Sequence, residues 1–459
     1  AGGMVGNNHS FGDVDIFVPV WQDQTSLLFG DFRGTFSSQP TQEGNFGLGY
    51  RTQVDPSWIL GGYGYFDIQN SENDNLFYQA TLGLEALSVD WDFRVNGYIP
   101  FNAGGQSVDN SNGHLEINGN TIGITTDREK PLYGFDGEVG WRLPIFPADG
   151  DMDVRAFIGG YFFTNSDVDT IAGPRGRLEV RLYDIDFLGM QSRLTINGEV
   201  QWDNPRGTQA FGGLELRIPL GAVTGTPGPK LSPLDRRMVD RVQRDVDIVT
   251  EDYQSDPNDV VVDELTVKTH TIVFASADGA ADGRGTKGDP VSLDNAVALA
   301  ESLGQNAIIV VQGDGGPIEV SQPLQLASGQ ALLGGGSKVP LHDAGDSSIT
   351  IGFKVPGSRP TLVGTDPTRD LIDMASGTQN EIYGLDVKGD MIDAVFGLNM
   401  ERAIVKNMNI DPPVFNGISI EQKTGYGPEL PSSTFVHIEG NTIVGAGNDG
   451  IKVASFLGD

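Results

Sequence analysis

Segments of roughly 9–14 residues that alternate apolar and polar side chains recur about a dozen times in the first 220 residues, and each ends at Gly, Pro, Asn or Asp. Residues 193–202 (RLTINGEVQW) set the pattern. Leu194, Ile196, Val200 and Trp202 fall on one side, and Arg193, Thr195, Asn197, Glu199 and Gln201 on the other. An extended strand turns successive side chains to opposite faces, so each segment has one apolar and one charged face. Many long strands of this kind suit a closed barrel with lipid outside and polar groups inside. The longest aliphatic run, 307–311, is far short of the ~20 residues a spanning helix needs. Only a closed barrel could therefore place this chain in a bilayer.

The alternation predicts strands near 13–23, 26–38, 43–54, 58–70, 76–88, 89–102, 114–127, 131–144, 151–166, 174–188, 191–204 and 208–220. That is about twelve antiparallel strands, an even number that lets an up-and-down barrel close. The expected inward set is Asp31, Glu85, Asp92, Arg94, Asp136, Glu138, Arg142, Arg155, Arg177, Glu179, Arg181, Arg193, Glu199, Glu215 and Arg217. Mixed signs imply a cross-linked, filled interior, whereas a ring of one sign would select ions. Arg takes the place of Lys here, and its planar fork binds carboxylates bidentately. Trp21, Trp58, Tyr98, Trp141, Phe162 and Trp202 lie near strand ends, where interface girdles sit. A soluble β-sandwich, which also alternates, is the competing fold.

Four stretches, GNFGLGYR at 44–51, WILGGYGYFD at 58–67, QATLGLE at 79–85 and DFRVNGYIP at 92–100, together resemble the barrel domain of inverse autotransporters, the intimin/invasin family. The likeness spans residues 11–220. It implies a twelve-stranded outer-membrane barrel that displays a carboxy-terminal passenger. Its implied partners are outer-membrane lipid and the outer-membrane assembly machinery. Many members carry a peptidoglycan-binding module before the barrel, but here a lead-in of residues 1–12 precedes the first expected strand at 13–220. No charged and apolar leader opens the sequence, so a signal peptide is expected to have been removed or to lie outside it.

Residues 221–265 read as a linker, opening with the Gly/Pro-rich 221–229. Ser232 and Pro233 form an N-cap and first-turn pair. Leu234, Met238, Val242 and Val246 make one helical stripe, with Arg236, Arg237, Arg241 and Arg244 set among Asp235, Asp240 and Asp245. A helix of about 14 residues would reach ~20 Å. The acidic 250–264 should be extended. Two readings stay open: a short amphipathic helix between domains, or a segment in the barrel lumen. The family resemblance implies the second, with the chain crossing the barrel from the periplasmic side to the outside.

From residue 266 to 459 the pattern changes to strands of about 4–7 residues. A helix is expected over 291–303, capped by Ser292, with Leu293, Ala296, Val297, Ala300 and Leu303 as its apolar stripe. Residues 381–389, 403–410 and 435–443 align with one another, and 393–398, 416–420 and 449–453 form a second track. Steps of about 22–23 and then 32–33 residues predict stacked coils of a parallel β-helix. The surplus in the second step is a loop at 423–431. Residues 278–333, with DGRGT at 282–286, resemble the start of pectin-lyase-like right-handed β-helices. That resemblance implies an N-terminal capping helix on the first coil. The sequence stops at Asp459 directly after a repeat, so the β-helix is expected to be incomplete at its C-terminus.

A net charge of −32 argues against nucleic acid as a partner. The lack of Cys excludes disulfides, thiolate metal sites and Cys nucleophiles. β-Helices of this kind often cleave acidic polysaccharides, and Asp386, Asp390, Asp393 and Arg402 are the candidates here; turn-forming ladders at coil corners are the competing role. Asp278 and Asp282, with Asp289, are calcium candidates whose spacing is not a calcium-loop motif. His9, His114, His270, His342 and His437 are scattered. The expectation is a non-enzymatic outer-membrane anchor, without cofactor, whose surface-exposed β-helix acts as an adhesin or a fibre or stalk component. Its partner would be a surface receptor, a glycan or sister subunits. The alternatives are a membrane-tethered polysaccharide lyase or hydrolase and a porin-like channel.

Overall fold

The computed structural model describes residues 1–7, 10–38, 40–108, 113–219, 230–245, 247–413, 415–426, 431 and 433–456. His9, the 221–229 break, Val246 and residues 427–430 of the 423–431 loop lie outside the described residues. The chain divides into two compact units, residues 1–111 with 127–254 and residues 112–126 with 255–459.

The first unit is a closed antiparallel barrel of twelve strands: Gly2–Gly6, Ser10–Gln22, Ser26–Ser37, Gln42–Asp55, Trp58–Asn70, Leu76–Ser88, Trp91–Pro100, Tyr133–Leu143, Met152–Thr164, Ile171–Tyr183, Arg193–Asp203 and Gly207–Arg217. Gly2–Gly6 closes it, pairing with Gly207–Arg217 on one side and Ser10–Gln22 on the other. The apolar face of the alternation points out. Leu82, Leu84 and Ile158 are 61%, 64% and 73% exposed, while Thr81, Glu85 and Arg155 are buried. A sandwich would bury its apolar face between sheets, so this arrangement settles the choice in favour of a barrel with a lipid-facing exterior. At one rim Trp91 stacks on Trp141 and Trp58 leans on Phe93.

The expected count is met by a different set of strands. The expected strand at 114–127 is not in the barrel. It is a hairpin, His114–Asn118 with Thr121–Thr125, followed by a separate strand Asp127–Pro131. The lead-in 1–12 instead supplies the twelfth strand. Gly2–Gly6 is too short and Gly-rich to show a period in sequence, and backbone pairing alone defines it.

Inward-facing glycines explain the Gly–aromatic texture of the strands. A Cβ on Gly47 would lie 2.2 Å from the Tyr65 ring, one on Gly49 2.3 Å from Phe29, and one on Gly83 2.1 Å from Tyr63. Each ring fills space that a side chain on the glycine would otherwise occupy. The Tyr63 hydroxyl then donates to Asn96 Oδ1 at 2.7 Å.

The second unit contains three parallel sheets that the chain visits in rotation. Their orders are Ile272–Ala280, Ile308–Gln312, Ala331–Gly334, Gln379–Tyr383, Arg402–Lys406, Phe435–Glu439; then Ile318–Val320, Thr361–Thr365, Asp386–Asp390, Asn409–Asp411, Thr442–Ile443; then Leu324–Gln325, Ile372–Asp373, Val395–Leu398, Ile418–Lys423, Ile451–Phe456. The inward residues of the three sheets, such as Val273, Leu332, Leu362, Val395 and Ile418, share one apolar core. A helix, Leu293–Leu303, adds Leu293, Ala296 and Ala300 to it. Ser292 stands at its N-cap, with its hydroxyl bonded to the Asn295 side chain.

A second core lies on the outer face of the first sheet. Ile272, Phe274, Ile308, Val310 and Leu333 meet Val260, Val262, Val339, Leu341 and Phe353, together with Ile122 and Ile124 of the hairpin. Four antiparallel strands, Lys268–Thr269, Val260–Val262, Lys338–Asp343 and Thr350–Lys354, form this covering layer. Nothing in the periodicity of the sequence announces it.

Gly83→Ala should destabilise the barrel by roughly 1–3 kcal/mol through overpacking under Tyr63. Gly97→Ala, where an added Cβ meets nothing within 4 Å, should be near neutral. Urea midpoints of the two variants in lipid vesicles check the difference.

Candidate functional site

The barrel interior is a network of buried ions. Arg94 pairs with Asp92 at 3.0 Å, Glu138 at 2.8 Å and Glu85 at 3.7 Å. Arg155 reaches Asp92 at 2.8 Å. Arg177 holds Glu138 at 2.7 Å, lies close to Glu199 at 3.9 Å and also pairs with Glu179. Arg181 holds Glu179 at 2.6 Å, and Arg193 holds Glu215 at 3.2 Å. These charges sit on alternate positions of adjacent strands, and register brings them within reach: Glu138 lies opposite Arg94, and Arg177 opposite Glu199.

Two expected members stand apart. Arg142 pairs with the half-exposed Asp90 at 2.7 Å and donates to the Phe146 carbonyl. It is a rim residue, because its strand ends at Leu143. Asp136 has no Arg partner among the described ion pairs; Asn96 and the Tyr98 hydroxyl hold it.

Residues 230–254 run among these side chains from one rim to the other. Lys230 bonds Asp151 at 2.7 Å and Arg236 bonds Asp184 at 3.2 Å, both acids lying at the rim that also carries the 56–57 and 89–90 turns. At the opposite rim Thr250–Gln254 pairs antiparallel with Asp127–Pro131. Between them Arg241 binds Asp13 at 2.6 Å and Asp15 at 2.9 Å. Arg244 binds Asp67 at 2.7 Å and lies over the Tyr65 ring. Arg237 pairs with Asp92 and Asp240. Asp240 is the hub, receiving Arg193 at 2.6 Å and Arg181 at 3.3 Å as well. Val242 packs into a pocket of Leu27, Phe29, Tyr63 and Tyr65.

The helix expected over about 14 residues is a single turn, Asp235–Met238. Ser232 starts it, its hydroxyl accepting from the Asp235 N–H at 3.1 Å. Beyond it the backbone carbonyls are taken by the wall. Arg51 Nη1 donates to the carbonyls of Met238 at 2.9 Å and Asp240 at 2.6 Å, Arg217 to Val239, and Arg33 to Val242 at 3.2 Å. The Gln243 carbonyl accepts from Asn96 at 3.2 Å and Tyr63 at 3.3 Å. A continued helix would need those carbonyls for its own ladder. Charge-assisted bonds from buried guanidiniums are the stronger claim on them.

Arg51, Asp67 and Asp240 are the main residues that sequence reasoning missed. Arg51, which also binds Glu85 at 2.6 Å, shares parity with Asn45, Gly47 and Gly49 in the 44–51 stretch. That parity was the available signal. Asp240 has no distinguishing mark beside Asp235 and Asp245.

In the second unit the four candidates for polysaccharide chemistry do not share one strand: Asp386 and Asp390 lie on one strand, Asp393 in the turn after it and Arg402 on another sheet. Asp386 accepts from Arg359 at 2.5 Å and Asn409 at 2.7 Å. Arg402 donates to the Glu264 carbonyl and covers the Phe435 ring. Asp390 ends the strand Asp386–Asp390. Asp393 belongs to a corner ladder: its N–H donates to Asp370 Oδ1 at 3.1 Å, its carboxylate accepts from the Asn416 N–H at 2.9 Å, and the Asn416 side-chain Oδ1 accepts from the Asp449 N–H at 3.3 Å. That is turn satisfaction repeated at each step. Asp278 lies on Ile272–Ala280 and Asp282 in the following turn. Among the described residues no group of three or more His, Asp or Glu is placed to hold a metal ion.

Glu381 is fully buried on the outer face of the first sheet, near Lys406, which bridges Asp263 at 2.7 Å and Glu264 at 2.6 Å. Burial, reinforced by the Asp263 and Glu264 carboxylates and opposed by Lys406, pushes its carboxyl up to about 8.

Residues 6–159 match the family model of the inverse autotransporter beta-domain. That match, together with the closed barrel and its apolar exterior, supports an outer-membrane barrel. No curated protein is similar enough to the chain to match. Among solved structures, NanC porin aligns at 11% identity over 47% of this chain and 98% of its own, with a TM-score of 0.31. KdgM porin aligns at 8% over 48% and 97%, with a TM-score of 0.29. A chain from work on the in-meso crystallization of membrane proteins aligns at 17% over 55% and 98%, with a TM-score of 0.40.

Asp240→Leu, which leaves three buried guanidiniums short of a counter-charge, should cost about 3–5 kcal/mol of barrel stability. Breaking the rim pair with Arg142→Gln should cost about 0–1 kcal/mol. Equilibrium unfolding in vesicles separates the two. For Glu381 the unfolded carboxyl titrates near 4.5 and the folded one near 8, so the folded state retains a proton between those values. Stability of the second unit should fall as pH rises from about 4.5 to about 8 and level off above. In Glu381→Gln that slope in the denaturant midpoint should vanish.

Proposed function

We propose that this protein displays a β-helical passenger at the cell surface, and that the passenger acts as an adhesin or as a component of a surface fibre or stalk. The observation that carries this reading is the course of residues 230–254. The last barrel strand ends at Arg217, and the chain next runs through the charged interior to the opposite rim before the parallel sheets begin. A chain so held makes the barrel both anchor and exit route.

Three parallel sheets visited in rotation, with an Asp/Asn ladder at one corner, support a right-handed, pectin-lyase-like β-helix as the passenger's form. The helix Leu293–Leu303 would cap its first coil, since its apolar stripe enters the same core. Long stacked coils offer an extended lateral surface suited to a receptor, a glycan or sister subunits. The ion-paired interior favours a filled anchor over a conducting pore.

Protease shaving of intact cells tests the reading. The expected result is release of a fragment beginning after residue 254, with the barrel retained in the outer-membrane fraction. Protection of both parts would overturn it.

A further inference from the structure

The hairpin His114–Asn118/Thr121–Thr125 lies, in sequence, in the connection between barrel strands Trp91–Pro100 and Tyr133–Leu143, yet it folds as part of the second unit. Its turn is built from Asn118, Gly119 and Asn120, with Gly119 at φ +62°, where a Cβ would be strained. Ile122 and Ile124 are buried, and Leu115 and Ile117 pack beside them on the outer core. Its backbone is also engaged. The Ile124 N–H donates to the Asn258 carbonyl at 3.0 Å and the Asn258 N–H returns to Ile124 at 2.9 Å; Ser255 N–H donates to Thr126 at 2.9 Å. Further along, Ile122 N–H donates to His270 at 2.9 Å and Ile272 N–H to Asn120 at 2.9 Å. The Asn120 amide bonds the carbonyls of Ile272 at 3.2 Å and Gly285 at 2.9 Å.

The hairpin's backbone partners therefore fall in the leading segment of the second unit, from Ser255 to Gly285, while its apolar face also meets the covering strand Thr350–Lys354. Asn258 follows Gln254, the end of the strand held in the barrel unit, by only four residues. Pairing there closes a very short loop, so its entropic cost is small. The first parallel pairing, Ile272–Ala280 with Ile308–Gln312, needs a crossover that includes the Leu293–Leu303 helix, and parallel pairing across such a span is slow. A two-stranded hairpin is marginal by itself, so the hairpin and the first arriving strands stabilise one another.

We propose that this barrel-borne hairpin is a built-in folding template, which the passenger's leading segment 255–274 docks onto before the parallel sheets form. The order of folding it describes rests on the reading that the second unit follows the barrel. The docking itself does not require export.

Refolding of the full chain from urea into detergent micelles tests it. Barrel formation is followed by heat-modifiable gel mobility, and the second unit by protease resistance. Ile124→Ala should leave barrel formation unchanged and slow the acquisition of protease resistance about tenfold, with the unfolding rate little altered. Ile418→Val, in a late coil, should act instead on the unfolding rate. Should Ile124→Ala fail to yield a folded second unit, Ile124→Val provides the same comparison at smaller amplitude. An unchanged folding rate, with all destabilisation in unfolding, would overturn the template role and leave the hairpin as mere packing. The assay involves no membrane crossing, so its outcome is independent of the shaving experiment.

Discussion

Buried guanidinium–carboxylate pairing is the interaction on which the barrel unit depends. Once alternation commits one face of every strand to lipid, the other face must close on itself, and in this chain that face is charged. An unpaired ion in such an interior would carry a heavy desolvation cost. The wall answers part of this through cross-strand pairs such as Arg94 with Glu138. The segment after the last strand answers the rest, with Asp240 serving Arg181 and Arg193, and Arg244 serving Asp67. Wall and segment are thus electrostatically incomplete without one another.

The same pairing shapes the segment's backbone. Guanidiniums of Arg51, Arg33 and Arg217 capture carbonyls that a helix would use internally. A sequence with a credible amphipathic stripe therefore runs mostly irregular, because tertiary donors outbid the local ladder. Its apolar members still find burial, Val242 against Phe29 and Tyr65, without helical periodicity to align them.

In the second unit the organising force is apolar. Two cores share one sheet: its inner face belongs to the stacked strands and its outer face to the covering layer. This double burial explains why strands such as Ile308–Gln312 are nearly continuous in Ile and Val, as parallel strands covered on both faces are. It also explains how Glu381 comes to be enclosed, since the covering layer lies over its face of the sheet.

What could be read from the sequence was whatever repeats locally. The period of two marks the barrel strands and their inward Arg and acidic residues, from Arg94 to Glu215. Repeats of about 22 residues mark which short strands stack, and lone motifs such as Ser232 mark a helix start. Tertiary structure alone decided the remainder. It selected Gly2–Gly6 as the closing strand, because closure is a matter of backbone pairing that leaves no side-chain period. It took 114–125 out of the barrel, because an alternating segment satisfies a hairpin on an apolar core as well as a wall facing lipid. It unwound the segment after Met238, and it made Asp240 rather than its neighbours the hub. Local pattern specifies which face a side chain prefers; which partner meets that face depends on residues far away in sequence, 44 positions for Arg94 and Glu138 and 209 for Arg33 and Val242.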